Sequence, residues 1–495
     1  MITNVNPEIF RQYDIRGIFN KDLTAEAARA VGMAYGIYLN SKVKSHKSQV
    51  TSQSSKVKNQ SSKLKVNVGR DVRLSSNILR DALIEGIIST GVDVVDIGEC
   101  PTPLQYFSIF HLSLEGGIMI TGSHNPPEFN GFKITVGKQT IYGQEIQEIR
   151  KIIEGRYQGS GDRGRGKIEY YDIIPAYIDY LKRQFKGSIK TPVKLVVDAG
   201  NGTAGPVAPK LLRELGCDVI ELFCEPDGNF PNHHPDPTIP ENLKDLIETV
   251  KTQKADFGIA YDGDADRIGV VDENGAIIWG DQLLIIFARD ILEKSKVKSQ
   301  KSKLKFIGDV KCSQVMYDEI ERLGGNAIMW KTGHSLIKSK MKETGAIFAG
   351  EMSGHIFFAD RYFGYDDAIY ASCRLAEIFS KHRFKEPAVR FSSLLAGLPK
   401  TCTTPEIRID CPDDKKFGVI DRLSETISQK QRGLPAVRDI IRIDGLRLVF
   451  DYGWALIRAS NTQPVLVLRF EAATEKGLTE IKSFVEDILK TVIPR

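Results

Sequence analysis

The sequence predicts an α/β protein of three or four domains with largely parallel sheets, ending in a smaller α+β module. A length of 495 residues allows three or four domains of roughly 100–200 residues each. Apolar strand-like runs alternate with segments of helical periodicity, which is typical of parallel sheets. From about residue 390 the pattern changes to paired strand-like runs and one long helical segment.

The elements can be followed in order along the chain. Helical spacing is predicted at 27–40, 207–216, 283–294 and 474–490. Strand-like runs are predicted at 66–70, 116–120, 194–198, 217–223, 255–261, 306–310, 454–457 and 465–472. Several of these strands end in polar, turn-forming residues. In open α/β sheets, ligands bind at loops beyond the carboxyl ends of the strands, so these loops are the candidate sites.

The composition is that of a soluble globular protein, with 41% hydrophobic and 26% charged residues. The seven cysteines are scattered and form no C-x-x-C pair, which argues against a disulfide framework or a zinc site. No apolar run approaches the roughly 18 residues of a membrane span, and the first residues lack the features of a signal peptide. We therefore expect a cytoplasmic protein with no membrane partner.

Two Lys-rich segments account for the positive net charge. Residues 41–65 and 295–305 carry twelve lysines and no acidic residue, and removing them changes the net charge from +5 to −7. Both segments connect a predicted helix to a predicted strand, where insertions are well tolerated. Their Ser/Lys/Gln composition predicts disorder. Nucleic-acid binding is the alternative, but no aromatic or Arg residues are interleaved for stacking, and we expect no nucleic-acid partner.

The first candidate loop, TGSHNPPEFNGFKI, covers residues 121–134. Ser123 follows an apolar strand, and turns are predicted at 125–127 and at Asn130-Gly131. With His124 beside it and Lys133 downstream, Ser123 could accept a phosphoryl group whose charge the lysine balances. A plain polar loop rich in turn formers is the alternative interpretation.

The second loop, YDGDADRIGVVDENG, contains Asp262, Asp264 and Asp266 at alternating positions. Three oxygen donors without His or Cys suit a hard cation, most plausibly Mg²⁺. An EF-hand is excluded because Arg267 occupies the position at which the calcium loop needs Gly, and a strand–turn–strand pattern follows. Arg267 favours a combined metal and phosphate site. A solvated acidic turn remains the alternative.

Two further loops carry polar groups suited to a sugar phosphate. GEMSGH (350–355) offers Glu351 and Ser353 to sugar hydroxyls, with a strand-end turn as the alternative. RASNTQP (458–464) offers the Arg458 fork and a polar turn as a phosphate cradle, with an ordinary hairpin as the alternative. YDIRG (13–17) places Arg16 in a predicted loop, and Lys311 and His334 lie in DVKCS and KTGH.

In this order, together with GRD (69–71), these segments resemble the α-D-phosphohexomutase family, most closely its bacterial phosphomannomutase/phosphoglucomutase branch. The resemblance spans nearly the whole chain, and only the Lys-rich segments depart from the family pattern. It implies three related α/β domains with mixed or parallel sheets and a smaller C-terminal α+β domain around a central cleft. We place their boundaries at 1–168, 169–276, 277–389 and 390–495.

The resemblance also implies a role for each site residue. Ser123 would carry the phosphoryl group and bind one Mg²⁺ together with Asp262, Asp264 and Asp266. Arg16, Lys133 and His334 would serve phosphoryl transfer and acid–base chemistry. The remaining substrate-binding residues would be Tyr13, His124, Arg267, Lys311, Glu351, Ser353 and His355, with Arg458, Ala459, Ser460, Asn461 and Thr462 around the non-transferring phosphate.

The implied reaction interconverts hexose 1-phosphates and hexose 6-phosphates of mannose and/or glucose. It would proceed through phosphoserine and a hexose 1,6-bisphosphate that is also the activator. Met352 argues against a phosphoglucosamine mutase, which stays an alternative. A Mg²⁺-dependent sugar-phosphate phosphatase is the alternative from another class. The sequence does not indicate an oligomeric state.

Overall fold

The structure is a computed structural model that describes residues 5–50, 63–155, 164–297, 303–429, 436–460 and 464–492. The chain divides into two compact units. The first unit contains Met1–Leu283 and Ser353–Leu394, and the second contains Leu284–Met352 and Leu395–Arg495. Each unit has buried apolar clusters of its own.

The first unit begins with a seven-stranded mixed sheet. Its strands are β1 (Ile15–Ile18), β2 (Lys65–Arg70), β3 (Asp93–Glu99), β4 (Gly116–Ile120), β5 (Phe129–Val136), β6 (Gln139–Thr140) and β7 (Ile168–Tyr170). The order is β1-β5-β4-β2-β3-β7, with β6 against β5, and β2 is parallel to both β3 and β4. The helices of this part are α1 (Ala25–Val50), α2 (Ser76–Ile88), α3 (Thr102–His111), α4 (Gln144–Ile153) and α5 (Ile173–Gln184). Apolar residues of α1, α2 and α4 form one buried cluster with the central strands.

A second, five-stranded sheet also lies in the first unit. Its strands are β8 (Lys194–Asp198), β9 (Asp218–Leu222), β10 (Phe257–Tyr261), β11 (Ile268–Asp272) and β12 (Ile277–Ile278), and its helices are α6 (Ala208–Glu214) and α7 (Lys244–Thr252). The order is β12-β11-β10-β8-β9, with β8 parallel to both neighbours and β11 antiparallel to both of its own. Every residue of β10 is buried, as expected for a strand covered on both faces.

The second unit contains a run of parallel strands in the order β14-β13-β15. They are β13 (Lys305–Asp309), β14 (Asn326–Trp330) and β15 (Phe348–Gly350), and the helices of this part of the chain are α8 (Gly280–Val297), α9 (Gln314–Arg322) and α10 (His334–Thr344). The side chain of Ser313 caps the start of α9 by accepting a hydrogen bond from the Val315 amide.

The chain then returns to the first unit with β16 (Ile356–Phe358) and α11 (Ala368–Lys385). Asp367 caps α11 by accepting a hydrogen bond from the Tyr370 amide at 2.8 Å. The Ala368 amide donates to the Ala265 carbonyl at 3.3 Å, so α11 begins against the loop that follows β10.

A six-stranded antiparallel sheet completes the second unit. Its strands are β17 (Cys402–Thr403), β18 (Ile407–Asp410), β19 (Asp439–Ile441), β20 (Leu446–Phe450), β21 (Gly453–Ala459) and β22 (Val465–Ala472), and its helices are α12 (Lys416–Gln429) and α13 (Glu475–Val492). The order is β17-β22-β21-β20-β19, and β18 also pairs with β22. Apolar residues of both helices pack on this sheet.

The predicted fold class is confirmed, with mixed α/β sheets followed by an antiparallel α+β module. The disorder predicted for the Lys-rich segments is wrong for residues 41–50 and 295–297, because α1 continues to Val50 and α8 to Val297. Lys is a good helix former, so each helix extends beyond its apolar stripe. Residues 51–62 and 298–302 lie outside the described residues. No helix in the described ranges is long and apolar enough to cross a membrane.

Candidate active site

Ser123 lies in a tight loop directly after β4. Its φ of 49° is in the left-handed region, and its amide donates to the Thr121 hydroxyl at 2.7 Å. The Ser123 hydroxyl donates to Asp262 Oδ2 at 2.7 Å and lies 3.2 Å from His124 Nδ1. A non-glycine residue in this backbone conformation is uncommon and marks a position worth a functional hypothesis.

Arg73 binds the backbone of the loop that carries Ser123, the serine loop. Its guanidinium donates to the carbonyls of Ser123 at 2.8 Å and Phe129 at 3.0 Å, and also to those of Asn125 and Pro126. Asp71 pairs with Arg73 Nε at 3.1 Å. The guanidinium is fully buried, and this burial lowers the pKa of Arg73. Arg73 therefore ties four carbonyls of one loop to a single buried cation.

The predicted turn at Asn130-Gly131 is wrong, because both residues lie within β5. β5 pairs with β1 on one side and β4 on the other, and this pairing overrides the local turn preference. A Cβ on Gly131 would lie 2.3 Å from the Ile15 carbonyl oxygen, so glycine permits the close pairing with β1. The strand also places Lys133 in the site.

The acidic loop follows the fully buried β10. The side chains of Asp262, Asp264 and Asp266 are completely buried, and their oxygens lie within 4.8 Å of one another. Asp262 Oδ1 accepts hydrogen bonds from the amides of Asp266 and Arg267, both at 3.1 Å. A Cβ on Gly263 would lie 2.6 Å from the Ser123 carbonyl oxygen, so only glycine lets the acidic loop approach the serine loop this closely.

Lys133 and Thr102 donate hydrogen bonds to Oδ2 atoms of this acidic loop. Lys133 Nζ donates to Asp264 Oδ2 at 2.6 Å and also to Asp266 Oδ2, and the Thr102 hydroxyl donates to Asp264 Oδ2 at 2.5 Å. Burial opposes the charge of Lys133, but the two carboxylates raise its pKa well above the ordinary value. Burial likewise opposes ionisation of Asp264, but Lys133 and Thr102 lower the pKa of that carboxyl. Lys133 is thus a permanent cation.

The carboxylate group fits a divalent cation. Asp264 Oδ1 and Asp266 Oδ1 are buried and accept no hydrogen bond from the described residues. Lys133 supplies one positive charge against three carboxyl groups, and a dication among them would favour their ionised forms. Burial, reinforced by Asp266 and Asp264, raises the pKa of Asp262. An all-oxygen donor set of this kind suits a hard cation.

Arg267 and His355 form a hydrogen-bonded pair beside the acidic loop. Arg267 Nε donates to His355 Nε2 at 3.0 Å, and His355 Nδ1 lies 2.9 Å from Asp366 Oδ2 and 3.5 Å from Asp266 Oδ1. Because Nε2 accepts a hydrogen bond, the ring proton is assigned to Nδ1, facing the carboxylates. Burial and the nearby cations Arg267 and Arg16 lower the pKa of His124 well below its ordinary value.

The other residues predicted for this region lie in the first unit as well. Arg16 was predicted in a loop, which is wrong: it lies on β1 and pairs with Asp14 at 2.5 Å. The short β1 is recruited by pairing with β5, a contact that local sequence does not reveal. Tyr13 is buried beside it, and Ser353 is partly exposed just before the turn at Gly354.

A second cluster, in the second unit, contains Lys311 and Arg458. Lys311 follows β13, and its Nζ lies 3.3 Å from Glu406 Oε2 and 3.9 Å from Asp309 Oδ2. Arg458 lies on β21, and its Nε donates to Asp444 Oδ2 at 3.0 Å. The pKa of Lys311 is raised by Glu406 and Asp309 although its burial opposes the charge. We refer to Lys311 and Arg458, together with their carboxylate neighbours Glu406, Asp309 and Asp444, as the cationic cluster.

Glu351 and His334 belong to the same unit. Gly333, which precedes His334 at the start of α10, donates its amide to Glu351 Oε1, so the carboxylate lies at the positive end of that helix. Thr332 connects this turn to the cationic cluster, with its amide 3.2 Å from Asp444 Oδ2 and its hydroxyl 3.1 Å from Asp309 Oδ2.

The predicted phosphate turn after β21 is described only in part. Ala459 ends the strand, and the Ser460 amide donates to the Val465 carbonyl at 3.0 Å. Both residues are buried. Asn461 and Thr462 lie outside the described residues.

Five residues that support these sites escaped sequence reasoning. They are Arg73, Thr102, Asp366, Glu406 and Asp444. Arg73 follows the GRD segment at the end of β2, a position that could have signalled it. The others carry no local motif, because their partners are distant in sequence.

Known proteins are similar to this chain over nearly its whole length. Four family descriptions match: phosphoglucomutase/phosphomannomutase alpha/beta/alpha domain I at residues 7–159, domain II at 175–275, domain III at 279–400 and the C-terminal domain at 406–488. A phosphomannomutase/phosphoglucomutase of Pseudomonas aeruginosa is 46% identical, over 98% of this chain and 96% of its own. A phosphoglucomutase of Neisseria gonorrhoeae is 41% identical, over 99% and 98% of the two chains.

Among solved structures, a phosphoglucomutase/phosphomannomutase family protein from Burkholderia thailandensis has a TM-score of 0.85 and 40% identity. The match covers 99% of this chain and 98% of that one. The fold and site define an α/β enzyme of sugar-phosphate chemistry. The chain belongs to the phosphoglucomutase/phosphomannomutase family.

Proposed function

We propose that the protein interconverts hexose 1-phosphates and hexose 6-phosphates of mannose and/or glucose. The observation that carries the proposal is a hydrogen bond: the Ser123 hydroxyl donates to Asp262, one of the three buried aspartates. Relatives named for this activity match the chain over nearly its full length. The four-domain division predicted from the sequence and a cytoplasmic location are part of the proposal.

In the proposed cycle, phosphoserine 123 donates its phosphoryl group to the free hydroxyl of a bound hexose monophosphate. The bond from phosphorus to Ser123 Oγ breaks and a bond to the sugar oxygen forms, giving a hexose 1,6-bisphosphate. The bisphosphate then turns end for end, and its other phosphoryl group returns to Ser123. Phosphoryl transfer asks the protein mainly for alignment and charge stabilisation.

Residues around Ser123 would supply that stabilisation. Asp262, Asp264 and Asp266, with phosphoserine, would hold one Mg²⁺, which when bound supplies charge neutralisation at the phosphoryl oxygens. Lys133 is held as a cation by Asp264 and Asp266, which suits it to balancing charge rather than to accepting a proton. We assign acid–base help at the sugar hydroxyl to His334, and phosphoryl-transfer help to Arg16.

The cationic cluster would hold the phosphate that is not transferred. Lys311, Arg458 and the turn from Ala459 through Thr462 would bind it, and Glu351 and Ser353 would bind the sugar hydroxyls. Tyr13, His124, Arg267 and His355 would complete the substrate contacts. The bisphosphate presents a phosphate at either end, so the same cluster serves both halves of the cycle.

The experiment follows formation of hexose 6-phosphates with Mg²⁺, a trace of glucose 1,6-bisphosphate, and the 1-phosphate of mannose, glucose or glucosamine. Conversion of the mannose and glucose substrates that collapses in Ser123→Ala is the expected result. Preference for the glucosamine substrate would indicate a phosphoglucosamine mutase. Steady release of inorganic phosphate from the bisphosphate without conversion would indicate a phosphatase.

A further inference from the structure

Each cation of the cationic cluster is paired with a carboxylate that the predicted site did not include. Lys311 Nζ lies 3.3 Å from Glu406, and Arg458 Nε lies 3.0 Å from Asp444. Both cations are largely buried, with side chains 10% and 6% exposed. Buried cations need counter-charges, and these carboxylates supply them before any anion binds.

The two pairs form one electrostatic group. Lys311 lowers the pKa of Glu406 to about 2, so that this carboxylate is ionised at neutral pH. Arg458 contributes in the same direction to the pKa of Glu406, and its positive charge opposes that of Lys311. Asp309, 3.9 Å from Lys311, and Arg408, 3.3 Å from Glu406, add one charge of each sign. The charges of the two pairs therefore respond to one another and to these neighbours.

The backbone fixes the carboxylates in place. Asp444 precedes Gly445, whose φ of 81° is in the left-handed region and whose Cβ position lies 2.4 Å from the Ile457 carbonyl oxygen. The Asp444 turn is thus pressed against the strand that carries Arg458. Glu406 immediately precedes β18, and its Oε1 accepts a hydrogen bond from Arg408 at 3.3 Å.

We propose that Glu406 and Asp444 are counter-ions that weaken the hold of Lys311 and Arg458 on the substrate phosphate. The identity of that anion rests on the proposed function. A bisphosphate that must turn end for end needs a phosphate site that releases it within each cycle. Two buried cations without counter-charges would bind a dianion too tightly for this, because electrostatic attraction is strong where water is scarce.

The test replaces each carboxylate with its amide. Glu406→Gln and Asp444→Asn keep the shape of the side chains, and an asparagine oxygen at 444 can still accept the Thr332 amide. Titration calorimetry measures the dissociation constants of inorganic phosphate and glucose 1-phosphate. Each variant should bind these anions about tenfold more tightly than the unaltered protein. Glu343→Gln is the matched control, since Glu343 pairs with Lys340 at an exposed position of α10.

Kinetics provide the second readout. Tighter phosphate binding should lower both KM and kcat, because release and reorientation of the bisphosphate become slower. A purely structural role for either carboxylate would raise KM or leave it unchanged. The two variants act at different backbone positions, so misfolding of one, monitored by circular dichroism, still leaves the other.

Unchanged or weaker anion binding in the folded variants would overturn the proposal. That result is separate from the proposed function, because anion binding is measured without turnover. If anion binding tightens as expected but the unaltered protein has no mutase activity, the counter-ion role stands and the proposed function falls.

Discussion

The carboxylate cluster around Ser123 and the cationic cluster around Lys311 treat charge in opposite ways. In the first, one lysine is shared by Asp264 and Asp266, and all three carboxyl groups are fully buried. In the second, Lys311 lies near the carboxylates of Glu406 and Asp309, and Arg458 pairs with Asp444. The first group offers oxygen donors suited to a hard cation, whereas the second already pairs its cations with carboxylates.

The largest expected effect is at the phosphoryl acceptor. Ser123→Ala should reduce mutase activity by at least about 10⁴-fold, because alanine has no oxygen to carry the phosphoryl group. A coupled assay of glucose 6-phosphate formation measures this. Ser89→Ala removes an exposed hydroxyl bonded to the Gly86 carbonyl and should leave activity unchanged. Substantial activity in the Ser123 variant would place the covalent step elsewhere.

The next prediction concerns how far protein stability depends on Arg73, which binds the loop of Ser123. Arg73→Met removes the cation that pairs with buried Asp71 and the side-chain donor to four carbonyls, so we expect a loss of about 3–5 kcal/mol in the free energy of unfolding. Urea denaturation measures it. Arg29→Met, which breaks an exposed pair with Glu85, should change stability by less than about 1 kcal/mol. Equal effects of the two changes would contradict the assigned role.

The cationic cluster should show its own pH dependence. The pKa of Glu406 is lowered to about 2 in the folded protein. Its stabilising contribution is therefore complete above the ordinary glutamate pKa of about 4.3 and is lost as the pH falls from there towards 2. Glu406→Gln should be about 2 kcal/mol less stable at pH 7, with the difference shrinking below about pH 4. Urea unfolding of both proteins at pH 7 and below about pH 4 measures this. A stability difference between variant and unaltered protein that does not change with pH would refute the ion-pair explanation.

The smallest expected effect concerns Thr102, whose hydroxyl donates a hydrogen bond to Asp264 Oδ2. Thr102→Val removes that donor, so the apparent affinity for Mg²⁺ should fall about tenfold without loss of maximal activity. Activity as a function of Mg²⁺ concentration measures this, after a chelator has abolished activity in both proteins. Thr252→Val, at the exposed end of α7, is the control. An unchanged Mg²⁺ dependence in Thr102→Val would separate this hydroxyl from metal binding.

The sequence by itself determined the fold class and indicated part of each cluster, namely Ser123, the three aspartates, Lys133, Lys311 and Arg458. Buried strands such as β4 and β10 are continuous apolar runs, and the loops after them carry Ser123 and the three aspartates as contiguous motifs. Periodicity and motif order are local properties, so they can be read without coordinates. Two incorrect local predictions, the loop at Arg16 and the turn at Asn130-Gly131, share one cause: β1 and β5 pair with each other as strands, which neither segment reveals alone.

Only the tertiary structure decided which charges meet. Thr102 and Asp264 are 162 positions apart, and Lys133 and Asp266 are 133 apart, so no spacing in the chain could connect them. Likewise, nothing in RASNTQP indicates that Asp444 holds Arg458, or that Glu406 holds Lys311. Electrostatic pairing depends on distance and burial, and both are set by how strands from separate segments pack together.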